Sequence, residues 1–302
     1  MKHYTPAKPG TKLAGFHVLG EIGRGAASTI YLVQDQKNKQ IWALKHVRKD
    51  GPKDQRFLDQ AIAEYEVASK IKSSHVRAID RVIKSRQKLI TVKELFLVME
   101  YVDGVSVELH PPTTFEQALD IFLQTAKGLA DIHRAGFVHA DMKPNNVVIC
   151  EDGTVKIIDL GQACPIGTVK ERIQGTPDYI APEQVHRREI TPKTDIYNFG
   201  ATMYWVLTQQ HIPTAMSTKN DSLVQGLDDS LIERPTPAIE LNPRVPKILS
   251  LLIDHCVEVD PDKRPASMND VVETLEEVLE DLAERSVEAE ASLNDTSVPE
   301  SA

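Results

Sequence analysis

The stretch His139-Ala140-Asp141-Met142-Lys143-Pro144-Asn145-Asn146 sets a carboxylate, an ammonium group and an amide oxygen close together, and Asp159-Leu160-Gly161 adds a second carboxylate eighteen residues after Asp141. A carboxylate can take a proton from a hydroxyl, and a cation can neutralise charge on a group in transfer. An amide oxygen paired with a carboxylate suits a hard divalent cation. Together these are the minimum set for phosphoryl transfer. Such groups must be held within ångströms of one geometry. Between them lie two apolar runs, Val147-Val148-Ile149-Cys150 and Val155-Lys156-Ile157-Ile158, joined through Asp152-Gly153. An Asp-Gly turn between β-rich runs predicts a hairpin, so the polar groups project from the ends of a stiff ribbon.

Upstream, Phe16 to Ile22, Thr29 to Gln34, Ile41 to Val47, Ala78 to Lys84 and Leu95 to Tyr101 read as strands, with one helix expected from Gln55 to Lys72. Thr114-Phe115-Glu116-Gln117 has capping-box spacing, and Ala118, Ile121, Phe122, Thr125, Leu129 and Ile132 continue with a period near 3.6. Further helices are expected over Thr194 to Thr208, Ile248 to Val257 and Met268 to Leu282. Strands first and helices after predict an α+β fold with two lobes, a β-rich N-lobe over about 13–101 and a mainly helical C-lobe over about 102–284. A crevice between them is the expected substrate site. Residues 1–12 are expected to be an extension and residues 285–302 an acidic, disordered tail.

The net charge of −9 is a local property. From Asp270 onward acidic residues outnumber basic ones eleven to one, leaving 33 acidic against 34 basic elsewhere. The domain therefore has no sign that would select a polyanion, and no nucleic-acid partner is expected. No apolar run is long enough to span a membrane and Met1 to Gly10 does not read as a secretory signal. Three scattered cysteines suit a reducing compartment, so a cytoplasmic location is expected.

Two further features complete the candidate site. Gly23-Arg24-Gly25-Ala26-Ala27-Ser28-Thr29-Ile30 lies between two strands, where bare glycines let backbone amides approach a triphosphate. Lys45 closes the strand Ile41 to Lys45, and the next helix offers Glu64 and Glu66. From Glu64 the apolar Val67, Ala68 and Ile71 lie at +3, +4 and +7, on its own face, whereas Glu66 points elsewhere. Glu64 is thus the inward carboxylate, and Lys45 is the cation it needs.

With these motifs, together with Gly175-Thr176-Pro177-Asp178-Tyr179-Ile180-Ala181-Pro182-Glu183 and Asp260-Pro261-Asp262-Lys263-Arg264-Pro265, the chain resembles the eukaryotic-like serine/threonine protein kinases of bacteria. The resemblance runs from Gly23 to Arg264. It implies ATP and Mg2+ as cofactors and protein Ser/Thr hydroxyls as acceptors, autophosphorylation included. Asp141 would receive or orient the hydroxyl proton, Lys143 would face the γ-phosphoryl group, and Asn146 and Asp159 would hold magnesium. Lys45, paired with Glu64, would face the α- and β-phosphates, and Thr176 would bond toward Asp141 and Lys143. Adenine would lie among Ile22, Ile30, Ala43, Val148 and Ile158, with Met99 behind and the backbone of Glu100 and Val102 alongside. Glu183 would pair with Arg264, and Asp195 would bond the catalytic-loop backbone.

The chain departs from the family's pattern at three places. Ser28 replaces a third glycine, Leu160 replaces a phenylalanine, and Ala140 stands where the family's usual arginine grips a phosphate on the activation segment. Phosphorylation of Thr168 is therefore expected to be dispensable. A pseudokinase scaffold and a small-molecule kinase are the competing readings. Lys45, Glu64, Asp141, Lys143, Asn146 and Asp159 weigh against the first, and Lys143 with the 176–183 platform against the second. His186-Arg187-Arg188 reads as a solvated turn, with a preference for acidic substrates as the alternative. Oligomeric state is left open.

Overall fold

A computed structural model describes residues 6–25, 27–87, 91–213, 229 and 232–295. The first lobe is an antiparallel sheet of β1 (Lys12–Leu13), β2 (Phe16–Arg24), β3 (Ser28–Asp35), β4 (Ile41–Arg48), β5 (Ile79–Gln87) and β6 (Thr91–Glu100), in spatial order β1-β2-β3-β4-β6-β5. Strand alternation sorts its side chains onto two faces. Phe16, Val18, Tyr31, Val33, Leu44, Phe96 and Val98 form one closed cluster. On the opposite face Ala43, Val47, Leu95, Leu97 and Met99 join the main core, together with Leu58, Ala61 and Val67 of α1 (Gln55–Ala68). Lys45 lies between Ala43 and Val47 in this alternation, so the pleat aims it at α1.

The hairpin forms as the Asp-Gly signal requires. After β7 (Gly104–Ser106), α2 (Phe115–Arg134) and the short β8 (Phe137–Val138), β9 (Val147–Cys150) pairs with β10 (Val155–Ile157), and Gly153 takes φ +82° at the turn. Helix α2 opens on Thr114, whose hydroxyl accepts from the Gln117 amide at 3.2 Å. The Gln117 side chain reaches one residue further back than a capping box predicts, accepting from the Thr113 amide.

Beyond the hairpin come β11 (Cys164–Pro165), β12 (Thr168–Val169), α3 (Pro182–Val185), β13 (Glu189–Ile190), α4 (Pro192–Thr208), α5 (Ala238–Leu241), α6 (Lys247–Cys256) and α7 (Met268–Asp295). Phe122 of α2 meets Phe199 of α4 edge-on at 6.2 Å. One residue on, a Cβ at Gly200 would lie 2.5 Å from the Cβ of Cys256, so only glycine lets α4 approach α6 this closely. Gly200→Ala is expected to destabilise the protein by about 1–3 kcal/mol through overpacking. A melting temperature at or above wild type would show that α6 can move aside freely.

The lobes are stitched together through backbone. Val76 bridges Ile157 in parallel, the Arg77 amide donates to Ile157 O (2.9 Å), and the Ile157 amide donates to His75 O (2.8 Å). Glu100, at the end of β6, receives Lys156 of β10 at 2.8 Å and the Ala78 amide at 3.1 Å. This connection fixes where the hairpin ends fall relative to the sheet.

Three expected boundaries move. Helix α1 ends at Ala68 rather than Lys72, because the amides of Lys70 and Ile71 turn back to Val67 O and Ala68 O. The extension expected over 1–12 is partly built into the sheet: Lys12 pairs with His17, and the Ala7 amide donates to the Tyr31 hydroxyl. The tail expected from 285 continues α7 to Asp295. Low apolar content suggested disorder there, but Glu, Ala and Leu are strong helix formers and extend a helix already nucleated by packing. Residues 296–302 lie outside the described residues.

Candidate active site

The hairpin register sets the two loops side by side. Val147 lies opposite Ile157, and the Ile158 amide donates to Asn146 O at 2.8 Å, so Asn146 and Asp159 leave the ribbon from adjacent strand ends. Asp159 adopts φ +69° and Ala140 φ +60°, conformations that cost a non-glycine residue about 1–3 kcal/mol and cluster at functional sites. Asp195, fully buried at the start of α4, holds the loop that carries Asp141. Its carboxylate accepts from the His139 amide (2.8 Å), the Ala140 amide (2.7 Å) and His133 Nε2 (2.8 Å). Burial pushes the Asp195 carboxyl up, but the His133 hydrogen bond, the fields of His133 and His139 and the Ala140 amide leave it below its ordinary value.

Asp141, Lys143 and Thr176 form a closed triangle. The Thr176 hydroxyl donates to Asp141 Oδ1 at 2.8 Å and accepts from Lys143 Nζ at 2.8 Å, while Lys143 donates to Asp141 Oδ2 at 3.0 Å. Across from it, Lys45 Nζ donates to Glu64 Oε2 at 2.6 Å and lies 3.9 Å from Asp159 Oδ1. Glu64 is 2% exposed whereas Glu66 is on the exposed side, as the helical phase required. Glu64 Oε1 is buried with no hydrogen-bond partner among the described residues, a cost of about 1–3 kcal/mol retained at this site. Burial opposes ionisation of Asp159, yet the charges of Lys45 and Arg77 and the Gly161 amide hold its carboxyl below the usual value.

Asn146 and Asp159 suit a hard cation. The Asn146 Nδ2 is committed to the Asp141 carbonyl at 2.8 Å, which turns the amide oxygen the other way as a donor to a metal. Asp159 keeps half of its side chain exposed, with Oδ1 steadied by the Gly161 amide at 3.1 Å. Two such oxygens leave room for water and phosphate oxygens, the coordination that Mg2+ favours.

The expected nucleotide residues fall around this centre. Ala43 and Met99 lie directly opposite each other in β4 and β6, and Ile30 lies opposite Lys45. Val148 is on β9 and Ile158 just past β10. Ile22 is 49% exposed. The Glu100 amide is tied to Ala78 O, whereas the Val102 amide makes no backbone hydrogen bond among the described residues. In the glycine turn the Gly25 amide donates to Ser28 O at 2.8 Å, closing a tight reversal. A Cβ at Gly23 would meet only Ile30 at ordinary contact distance, so no protein packing there requires glycine. Arg24 pairs with Glu21, Ala27 and Thr29 flank Ser28, and Ala26 lies outside the described residues.

The platform is held by Glu183, which meets Arg264 in a two-point bridge of 2.8 and 3.0 Å. With this pair on the page beside the Lys45–Glu64 contact and the 141–143–176 triangle, comparison with known proteins is decisive: the protein kinase domain family matches residues 16–276. The chain belongs to that family. Among curated members, it is 30% identical over 271 residues to a serine/threonine-protein kinase of Corynebacterium efficiens, covering 85% of this chain and 49% of that protein. It is 35% identical over 191 residues to serine/threonine-protein kinase PknA of Corynebacterium glutamicum (61% and 40%). Against serine/threonine-protein kinase PrkC of Bacillus subtilis it is 27% identical over 275 residues (87% and 40%). The chain thus spans less than half the length of these relatives. Among the described residues no helix is long and apolar enough to cross a membrane.

Several residues of this kinase domain escaped the sequence reading. Gln60 donates to Gly161 O at 2.7 Å, tying α1 to the loop that carries Asp159. Its place four residues before Glu64, on the same helix face, was the available signal. Gln184 is a buried hub: its amide nitrogen donates to Ala140 O (2.9 Å) and Gln174 O (3.2 Å), and its oxygen accepts from the Ala181 amide and Asn198. Only the Ala181 contact, N-cap to N3 of α3, has a spacing that could have announced it; Ala140, Gln174 and Asn198 are ten or more residues away. The basic run 186–188 lies at the surface, with Arg187 and Arg188 exposed; His186 and Arg188 pair with Asp229, and Arg187 donates to Glu171 O.

Proposed function

We propose that this chain transfers the γ-phosphoryl group of MgATP to serine or threonine hydroxyls of proteins. The observation that carries this reading is the Asp141–Lys143–Thr176 triangle, with contacts of 2.8, 2.8 and 3.0 Å, together with Lys45, which lies 2.6 Å from Glu64 and 3.9 Å from Asp159. The glycine turn 23–30 would lie over the triphosphate, Lys45 would face the α- and β-phosphates, and the apolar residues between Ile22 and Ile158 would take adenine. Asn146 and Asp159 would hold magnesium, which would supply positive charge against the phosphate oxygens.

The acceptor oxygen forms its bond to the γ-phosphorus as the bond to the β–γ bridging oxygen breaks, and ADP leaves with that electron pair. Asp141 takes the hydroxyl proton, and Lys143 stabilises negative charge on the moving group from a fixed position. Lys143 and Thr176 accord with a Ser/Thr acceptor. The Glu183–Arg264 bridge anchors a platform for a polypeptide, which favours a protein over a small-molecule acceptor.

Incubation with MgATP and a generic protein acceptor, followed by mapping of phosphorylated residues, tests the reading. Transfer to serine or threonine is expected; MgATP binding without any transfer would leave the scaffold reading standing. Asp159→Asn removes a metal-directed charge and is expected to weaken magnesium-dependent nucleotide binding by tenfold or more. Titration of a fluorescent nucleotide with and without magnesium reads this, and equal affinities for variant and wild type would remove Asp159 from its role.

A further inference from the structure

Between Gln162 and Lys170 the segment is held in place largely by neutral contacts. Cys164 pairs with Val138, Thr168 with Ile190, the Ile166 amide donates to Gly136 O (3.1 Å) and the Gly167 amide to Ile190 O (2.8 Å). Around Ala140 the space is filled by a closed apolar cluster of Val138, Ala140, Cys164 and Ile190, each 8% exposed or less. A phosphate placed there would lose its hydration with no guanidinium from residue 140 to meet it. The Thr168 hydroxyl is already turned onto Pro165 O at 2.6 Å.

Lys170 is the exception to this neutral construction. Its Nζ donates to Gln162 O at 2.7 Å, joining the limb that leaves Gly161 to the limb that returns toward Thr176. The head group is partly buried in the fields of Asp141 and Asp195; burial lowers its pKa, and these carboxylates and Cys164 oppose that shift. A long side chain ordered in this way loses rotamer freedom, a cost recovered only by a defined contact.

We propose that Lys170 is a positioning residue whose bridge to Gln162 holds Thr176 on Asp141 and Lys143 with no phosphate on the segment. The inference rests on the phosphoryl-transfer reading above and adds how that site is kept assembled. The test compares phosphatase-treated wild type with Lys170→Met, Lys170→Arg and Thr168→Ala. It follows kcat and KM for a peptide acceptor, MgATP affinity, and amide hydrogen exchange across residues 162–176.

Lys170→Met is expected to lower kcat tenfold or more with MgATP affinity kept, and to speed exchange across 162–176. Lys170→Arg, which retains a donor of similar reach, is expected to restore most of both. Phosphatase treatment and Thr168→Ala are expected to leave the rate within tenfold of untreated wild type. A smaller loss in Lys170→Met, an equal loss in Lys170→Arg, or a larger loss on removing phosphate or the Thr168 hydroxyl overturns the proposal. Should Lys170→Met fail to fold, Lys170→Gln, polar but too short to reach Gln162, gives the same readouts. If wild type transfers no phosphate, the function reading falls, while unchanged exchange in the variants would separately overturn the bridge.

Discussion

Asp141→Asn is expected to lower turnover by about 10²–10⁴-fold, the usual contribution of a positioned acid–base group, while MgATP affinity changes less than about twofold. The substitution is nearly isosteric, so Asn146 can still donate to the carbonyl of residue 141 and the loop can still hang from Asp195. What disappears is the charge that Lys143 and Thr176 share and that, in the proposed reaction, takes the hydroxyl proton. Among the described residues, no hydrogen bond or ion pair of Lys45, Glu64 or Asp159 involves the Asp141 side chain, which is why binding and transfer should separate. Single-turnover transfer measured beside equilibrium nucleotide binding makes the comparison. Transfer at the wild-type rate would deny Asp141 its role.

Arg264→Met should produce the largest loss of stability, about 3–5 kcal/mol, the cost of leaving a buried charge without its partner. All five guanidinium donors of Arg264 are used: two on Glu183, one on Lys193 O, one on Val259 O and one on Glu258 O. The group is 3% exposed and stacks over Tyr197 at 4.9 Å. Removing it strands Glu183, itself 3% exposed, with Thr194 as its remaining side-chain donor. Against a total stability of about 5–15 kcal/mol this is a large fraction. Denaturant titration reads it directly. The double variant Glu183→Gln with Arg264→Met should recover part of the loss, since no buried charge remains; equal instability of single and double variants would place the cost in packing.

The chemistry was legible in the sequence because its groups lie on a short hairpin. Asp141, Lys143, Asn146 and Asp159 are placed by turn and strand rules that act over a few residues, and the Asp-Gly signal sufficed to foresee the ribbon. Glu64 was likewise chosen over Glu66 by helical phase alone. Less could be read where strength comes from chain segments far apart. Gln184 reaches Ala140 and Asn198, Lys156 meets Glu100, and Gln60 caps the loop of Asp159; each needs coordinates before its partner can be named. The end of α7 was misjudged for a different reason, since composition scores burial whereas helix continuation depends on local propensity.

By itself the sequence determined the two-lobed α+β plan, the choice of candidate groups on the hairpin and the inward carboxylate on α1, because periodicity and turn chemistry are local. Only the tertiary structure decided that Lys45 lies 3.9 Å from Asp159, that His186 and Arg188 meet Asp229, and that Lys170 spans its own segment. Those are meetings between distant parts of the chain. They depend on how the sheet and helices pack against each other, which no short-range pattern encodes.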